Sequence, residues 1–405
     1  MMHAGFIDSI ADIPADAWNA VAGTDYPFLR HEFLLALERS GSACAASGWQ
    51  PAHLLVEDGA ALIAVLPLYI KTHSYGEYVF DHAWANAYRQ HGLDYYPKLL
   101  AAIPFTPASG PRLAHVATDE RATTLLMQTV GAALEQKCAE IGASGWHVLF
   151  PEERTLPLWR QVGADVRLGC QYHWFNEGDE PYKTFDDFLA ALASRRRKEI
   201  KRERRKVAEQ GVRLQRYTGA QITTEIWQQF YCFYQLTNLK YNRHGGYLTP
   251  EFFAELHRTM SGQMLLVMAY AEEDGDDGKT HAIAAALNFF SSDTLYGRYW
   301  GATRDVEFLH FEACYYQGIE FCIERGLTRF DSGAQGEHKI ARGFRPVLTN
   351  STHWIAHPGF RAAIADFLAE EGAAFRQYRQ RACAALPFRD AAVEPSSRGR
   401  ARLLI

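Results

Sequence analysis

Apolar positions along the chain follow two periods, two and three-to-four, and the same order of them occurs twice. Residues 51–71, PAHLLVEDGAALIAVLPLYIK, place two apolar runs around Asp58-Gly59, which predicts a β-hairpin. Residues 126–151, LMQTVGAALEQKCAEIGASGWHVLFP, then show helical spacing up to a stop near Gly142, followed by an apolar strand. In the second half, residues 264–293 predict another hairpin with a longer acidic loop at 272–279. Residues 313–333, ACYYQGIEFCIERGLTRFDSG, again read as helix, glycine stop and strand. Hairpin, helix, glycine and strand in one order, twice, predict two copies of an α/β unit, a domain duplication.

The join is expected near 169–181, where the strand RLGCQYHWFNEG gives way to polar residues and then to a long helix starting at FDDFLAAL. This sets a first domain over 1–172 and a second over 173–386, opening with a basic helix at about 186–210. The polar, Pro/Ser/Arg-rich stretch 387–405 is expected to be loosely held.

A length of 405 residues suits two or three domains. The net charge of −5 argues against a globally basic nucleic-acid binder and leaves room for a local basic patch. No basic, apolar leader opens the chain and no apolar run nears the ~18 residues of a membrane span, so a cytoplasmic protein without a transmembrane segment is expected. Seven scattered cysteines without a CxxC pair fit reduced thiols. The sixteen histidines show no HxxxH spacing with a supporting carboxylate, so no metal site is expected. Neither a G-x-S-x-G elbow nor a Walker loop is present.

The local basic patch is residues 194–206, SRRRKEIKRERRK, with nine basic and two acidic residues in thirteen positions. Leu189, Leu192, Ile200 and Val207 fall on a broken apolar stripe, so one side is expected to pack. Arg195/Glu199 and Glu199/Arg202 have pairing distances along a helix. A solvated face and a phosphate site are both open readings. In the second, Arg195, Arg196, Arg197, Lys198, Lys201 and Arg202 meet the phosphates of RNA, of a nucleotide-linked substrate or of an anionic membrane surface in peripheral contact.

The densest chemistry lies at 331–343. A strand at 327–330 delivers Asp331 and Ser332 to its C-terminal end, where open α/β sheets place ligands. Gly333, Gly336 and Gly343 punctuate a run holding Gln335, Glu337, His338, Lys339 and Arg342. Together these offer a general base (Glu337, His338 or Asp331) and an anion clamp (Lys339, Arg342), although each residue singly also fits a capped helix. Upstream, LYGRYWG puts Arg298 and Trp300 in a strand, where Arg298 must find a partner or line a cleft. The stripe of Trp227, Phe230, Tyr231, Tyr234 and Tyr241 reads as core and ends at a Gly-Gly turn where Tyr241, Arg243 and His244 could meet substrate. In the first half, Asp81, Trp84, Tyr88, Tyr95 and Lys98 line a pocket or pack as a core.

The duplicated order resembles the GNAT-type acyltransferase fold, and the basic helix opening the second copy resembles its FemAB-like branch. FDHAWANAYRQHGLDYYPKL, GCQYHWFN, SRRRKEIKRERRK, LYGRYWG and FDSGAQGEHKIARGFRP resemble the bacterial predicted N-acyltransferases of the peptidoglycan biosynthesis/recognition type. The resemblance implies two tandem GNAT-like domains with a cleft between them. It implies transfer of an acyl or aminoacyl group to an amine on a small molecule, a peptide or a cell-wall precursor. The co-substrate would be acyl-CoA or aminoacyl-tRNA, with no tightly bound cofactor. Lys339, before Gly343-Phe344, matches the position at which Fem-type enzymes hold substrate phosphate or carboxylate. The R/Q-x-x-G-x-G/A pyrophosphate loop of CoA-dependent relatives is missing from ATRDVEFLHFE and from SGPRLAHVATDERA. A non-catalytic module that binds peptidoglycan fragments, RNA or anionic lipid is the alternative.

Overall fold

The computed structural model describes residues 2–178, 180–242, 245–272, 280–334 and 336–389. Most of the acidic loop 272–279, Gln335 and Arg243 therefore lie outside the described residues, as does the tail beyond 389. The chain forms two compact units. The first comprises Met1–Cys170, Gly246–Ser261 and Leu348–Gln377, and the second Gln171–Gly245, Gly262–Val347 and Tyr378–Ile405.

In the first unit the expected hairpin joins His53–Asp58 to Ala61–Leu66 through Gly59, whose φ of 63° suits a residue without Cβ. Pro67 then interrupts the strand, having no N–H for a ladder. Leu68–Lys71 continues in a different sheet from Ala61–Leu66. Lys98–Ala101 pairs antiparallel with Leu68–Lys71 and parallel with Gly145–Leu149, the crossover being the Glu120–Ile141 helix. The Asp119 carboxylate caps that helix on the N–H of Ala122, and Gly142 ends it in the left-handed region. Leu126, Val130, Leu134 and Cys138 bury one face against Leu99, Trp146 and Val148 of the sheet and Leu54 and Val56 of the hairpin. Each such side chain contributes about 1.5–3 kcal/mol when fully buried.

Two later segments also belong to this unit, unlike the single boundary expected at 172/173. The Pro250–Met260 helix, capped by the Thr249 hydroxyl, sets Phe252 edge-on to Phe33 of the His31–Arg39 helix. The 351–355 end of the Arg345–Ile355 strand pairs antiparallel with Gly145–Leu149 and places His353 opposite His147.

The second unit repeats the plan. Val212–Thr218, Met264–Glu272, Thr280–Phe290 and Thr294–Ala302 run antiparallel in turn. The helical stretch over 309–325 crosses over to Arg329–Asp331, which pairs parallel with Thr294–Tyr296. The register between Thr280–Phe290 and Thr294–Ala302 shifts between Leu287 and Asn288, which face Tyr299 and Gly297, so Arg298 is the bulged residue. The basic helix is two helices. Phe185–Ala191 starts at a Thr184/Asp187 capping box and stops at Leu192, and Ser194–Glu209 follows. The break is long-range in origin, because Leu192 bridges to Phe388, the N–H of Ala193 donates to the Pro387 carbonyl at 2.7 Å and that of Arg389 donates to the Ala191 carbonyl. Residues 387–389 are accordingly held, which corrects the expectation of a loose segment from 387 onward. No described helix is long and apolar enough to cross a membrane.

Candidate functional site

The crossover in the second unit ends at the glycine turn. Parallel pairing lasts three positions and stops at Tyr296–Asp331. Gly333, Gly336 and Gly343 have φ of 89°, 115° and 85°, and between the last two runs the 3-10 turn Glu337–Arg342. Asp331 orders the start of the turn by accepting from the N–H of Gly333 at 3.0 Å. Its carboxylate also lies 3.6 Å from Nε2 of His173, which is opposite it in the neighbouring strand. Burial holds His173 neutral, pulling it down to about 4 against the attraction of Asp331.

Lys339 is the central group. It is 2% exposed, and its Nζ donates to the carbonyls of Ser332 at 3.0 Å and Gly333 at 2.9 Å. Burial pulls the ammonium down to about 8, with Asp331 opposing. His338, exposed on the same turn, has Nε2 at 2.9 Å from the Tyr315 hydroxyl. Partial desolvation of its ring and then the Arg342 and Lys339 cations lower its pKa. Glu337 accepts from the Tyr378 hydroxyl at 2.5 Å, and Tyr378 makes a short hydrogen bond with the Tyr172 hydroxyl, forming a chain of three ionisable groups.

Arg342 does something other than the anion clamping expected of it. Its Nη2 donates to Glu203 at 2.8 Å, its Nε to the Tyr316 hydroxyl and its Nη1 to the His338 carbonyl. Its guanidinium also stacks 3.4 Å over Phe311. Arg342 therefore fastens the turn to the basic helix. The crossover helix assists through a π-helical stretch, Glu312–Tyr316, from which the adjacent Tyr315 and Tyr316 reach His338 and Arg342. Arg298, at its bulge, is close enough to lower the Lys339 pKa. Trp300 packs against His310, whose ring meets Tyr315 and His338. The structure thus gathers Asp331, Glu337, His338, Lys339, Arg342, Arg298 and Trp300. Tyr241 is 70% exposed with its ring beside the Lys240 ammonium.

The Ser194–Glu209 helix divides by face. Inward, Arg204 pairs with Glu312 and Glu320, and Glu203 with Arg342. Outward, Ser194, Arg195, Lys198, Glu199 and Arg202 line a shallow groove. Glu199 pairs with Arg195 at 3.0 Å and with Arg196 at 2.6 Å, in place of the Arg202 that spacing suggested. Lys201 is paired with Asp186. The first turn carries arginines and no carboxylate, and Ala193 supplies no side-chain cap, so the positive helix end and its cations add.

In the first unit, Asp81, Trp84, Tyr88 and Lys98 do come together, all buried. Lys98 forms a short ion pair with Asp81, a 2.8 Å pair with Glu77 and a hydrogen bond to Ser74. Burial alone would lower Lys98, but Glu77 and Asp81 outweigh it and hold the ammonium above its ordinary value. Asp81 is held well below the usual carboxylate range, Lys98 overcoming the effect of burial. Glu77, His147 and His353 are members that sequence reading missed, as it missed His173 and the tyrosines of the turn. For His173 a signal existed, since Gln171 and His173 alternate in the GCQYHWFN strand.

Among the described residues no group of three His, Cys, Asp or Glu could hold a metal ion. What the turn offers is a buried cation beside a neutral imidazole and carboxylates, at the end of two strands that cease to pair. That arrangement can hold an anionic group and accept a proton.

No curated protein matches the sequence. FemX superposes with a TM-score of 0.51 at 12% identity, covering 87% of this chain and 98% of that one. The C-terminal domain (DUF2156) of an Agrobacterium fabrum protein named as a lysylphosphatidylglycerol synthetase gives 0.51 at 10%, covering 88% and 96%. A tandem GNAT protein from the clavulanic acid biosynthesis pathway gives 0.46 at 9%, covering 88% and 99%. The fold is thus the mixed α/β architecture of FemX. The FemAB-like family model, described as peptidoglycan biosynthesis/recognition, matches residues 9–390, and the chain belongs to that family.

Proposed function

We propose that this protein is an N-acyltransferase that moves an aminoacyl group from aminoacyl-tRNA to an amine on a cell-wall precursor or peptide. The observation that carries the reading is Lys339, a buried ammonium held by the carbonyls of Ser332 and Gly333 and drawn down to about 8. A cation whose hydrogen bonds go to neutral carbonyls is available to an incoming phosphate or carboxylate. Family membership supports the chemistry, and its description supports the cell wall as the setting.

Transfer is direct in this reading. The amine attacks the aminoacyl ester carbonyl, the new amide bond replaces the ester bond to the tRNA, and the proton that the amine gives to His338 or Glu337 passes to the leaving tRNA hydroxyl. With Nε2–H of His338 donating to Tyr315, Nδ1 presents the lone pair. Glu337 can pass a proton along Tyr378 and Tyr172. Backbone N–H groups of Thr294–Ala302 beyond the last parallel pair, around 299–301, face the developing oxyanion. Lys339 holds the anionic part of a substrate, and Arg298 adds positive potential.

The choice of donor rests on the crossover helix. In a CoA enzyme the first turn of that helix takes pyrophosphate. Here Glu312 occupies it, buried and held by both Nε and Nη2 of Arg204 at 3.0 Å. A carboxylate already neutralises that helix end and repels phosphate. The outward Arg195, Lys198 and Arg202 supply the phosphate contacts that a tRNA needs.

Purified protein should be incubated with peptidoglycan precursors and either a charged tRNA pool or acetyl-CoA, and the precursors weighed by mass spectrometry. An aminoacyl mass gain with charged tRNA, lost in Lys339→Met, supports the proposal. An acetyl gain with acetyl-CoA alone moves the donor to acyl-CoA. Precursor binding without transfer from either donor makes the protein a binding module.

A further inference from the structure

Five buried polar atoms without a hydrogen-bond partner among the described residues gather in the first unit: Glu77 Oε1, Asp81 Oδ1, Trp84 Nε1, Tyr88 OH and His147 Nε2. Their side chains lie together. The Trp84 ring is 4.9 Å from that of His353 and 6.4 Å from that of His147. The Tyr95 ring lies 6.3 Å from His147 and 5.3 Å from Tyr88, and the Tyr95 hydroxyl donates to Asp81 at 2.7 Å. All five residues are at least nine-tenths buried. Native proteins keep only a few such orphans per hundred residues, because each retains its full desolvation penalty. Five in one neighbourhood describe a site whose occupant supplies the missing partners.

The orphans also specify that occupant. Two are carboxylate oxygens, which accept when ionised; the indole N–H can only donate; the Tyr88 hydroxyl and His147 Nε2 can do either. His147 Nδ1 is 2.8 Å from His353 Nδ1, and His353 Nε2 is 2.8 Å from the Ser351 hydroxyl. Burial keeps both imidazoles neutral, so the chain can be polarised in either direction. Charge points the same way. The one ammonium of Lys98 is shared between Asp81 and Glu77. The second lysine, Lys71, is 4.0 Å from Glu77 Oε1, lies over the Trp49 ring, and is drawn by burial to about 7. Burial also raises Glu77, to about 7, so an entering ammonium would hold it ionised, and the unbonded oxygens of Glu77 and Asp81 then call for N–H donors carrying positive charge. Access would come through residues 72–81, a stretch without helix or strand that carries Glu77 inward and leaves Tyr75 and Phe80 exposed.

We propose that the first unit holds a buried site for a small primary amine bearing an oxygen acceptor, an amino alcohol or amino acid. Its ammonium binds Asp81 and Glu77, and its oxygen accepts from the Trp84 indole N–H and the Tyr88 hydroxyl. This site is separate from the Lys339 turn, and its test reads no acyl transfer, so either proposal can fail without the other. The full chain, labelled with nitrogen-15 at the tryptophan indoles, is titrated with ethanolamine and with glycine by NMR, the Trp84 signal being assigned from Trp84→Phe. The Trp84 signal should move and saturate with at least one of these probes and stay still with tetramethylammonium, which has no N–H. Asp81→Asn should abolish the response; because it also loosens Lys98, Tyr88→Phe is the gentler variant, expected to weaken binding roughly tenfold, as the loss of one hydrogen bond does. A Trp84 signal that ignores both probes, or follows tetramethylammonium equally, overturns the proposal and leaves ordered water as the occupant.

Discussion

Lys98 in the first unit and Lys339 in the second are both buried lysines close to a strand end, and their partners set them apart. Lys98 sits between two carboxylates and is held above its ordinary pKa, whereas Lys339 sits on two neutral carbonyls and falls to about 8. A cation paired by full charges is committed to the fold, and removing it strands the anions around it. A cation held by dipoles keeps unspent attraction for an anion from outside. Burial alone therefore does not distinguish the two lysines; the formal charge of their hydrogen-bond partners does.

The contrast can be broken most directly by removing each cation. Lys98→Ala leaves Asp81 and Glu77 buried without their counter-ion and should destabilise the protein by about 3–5 kcal/mol in urea denaturation. Lys339→Met should lower transfer about 100-fold or more while changing stability by no more than about 1–3 kcal/mol, the range for two carbonyls losing a donor. Equal destabilisation by the two substitutions would end the distinction.

Gly301 tests the scaffold around the Lys339 turn. A Cβ there would meet the carbonyl carbon of Phe233 at 2.2 Å and its oxygen at 2.3 Å, so Gly301→Ala should destabilise by about 1–3 kcal/mol by calorimetry and reduce transfer as well.

The pH dependence sharpens the comparison because the two lysines carry opposite signs. Lys339 is depressed below 10.5, so its charged form is disfavoured by folding. The penalty is complete below about pH 8 and fades as pH rises toward 10.5, so this group makes stability rise across that window. Lys98 is raised, so its stabilisation is complete below its unfolded value and is lost only at more alkaline pH. Denaturation between pH 7 and 10 should show a rising component that Lys339→Met abolishes. Transfer should decline as pH passes about 8, since the neutral amine no longer binds an anion.

The smallest effect on stability is expected at the outer face of the basic helix. Lys198→Glu with Arg202→Glu should change stability by less than about 0.5 kcal/mol. It should also reduce the salt dependence of tRNA binding by roughly 0.7–0.9 for each phosphate no longer neutralised, read from filter binding at several salt concentrations. Unchanged salt dependence would return these residues to a solvated face.

Features set by neighbours in sequence were legible in the chain itself. Asp58-Gly59, Gly142 and Gly326 punctuate elements where local spacing placed them, and Lys339 stood out because Asp331, Glu337 and His338 lie within a few residues of it. Features set across the chain were not. The apolar face of Pro250–Met260 does not say which core receives Phe252. The break at Leu192 depends on a partner at Phe388. The Lys98 network draws Glu77 from a loop, and His147 meets His353 from 206 residues away, so these three members did not stand out beside Asp81, Trp84, Tyr88 and Lys98. Arg342 carried the right charge at the right place, yet its use was decided by Glu203, 139 residues earlier.

The backbone bonds from residues 387–389 to Ala191, Leu192 and Ala193 bear on synthesis. The arginine-rich helix begins where that late segment clasps it, with Arg389 reaching Leu192 across 197 residues. A nascent chain leaves the ribosome N-terminus first, so the helix spends the translation of everything in between without its clasp. The break between Phe185–Ala191 and Ser194–Glu209 would therefore be fixed in place only after residue 389 has emerged.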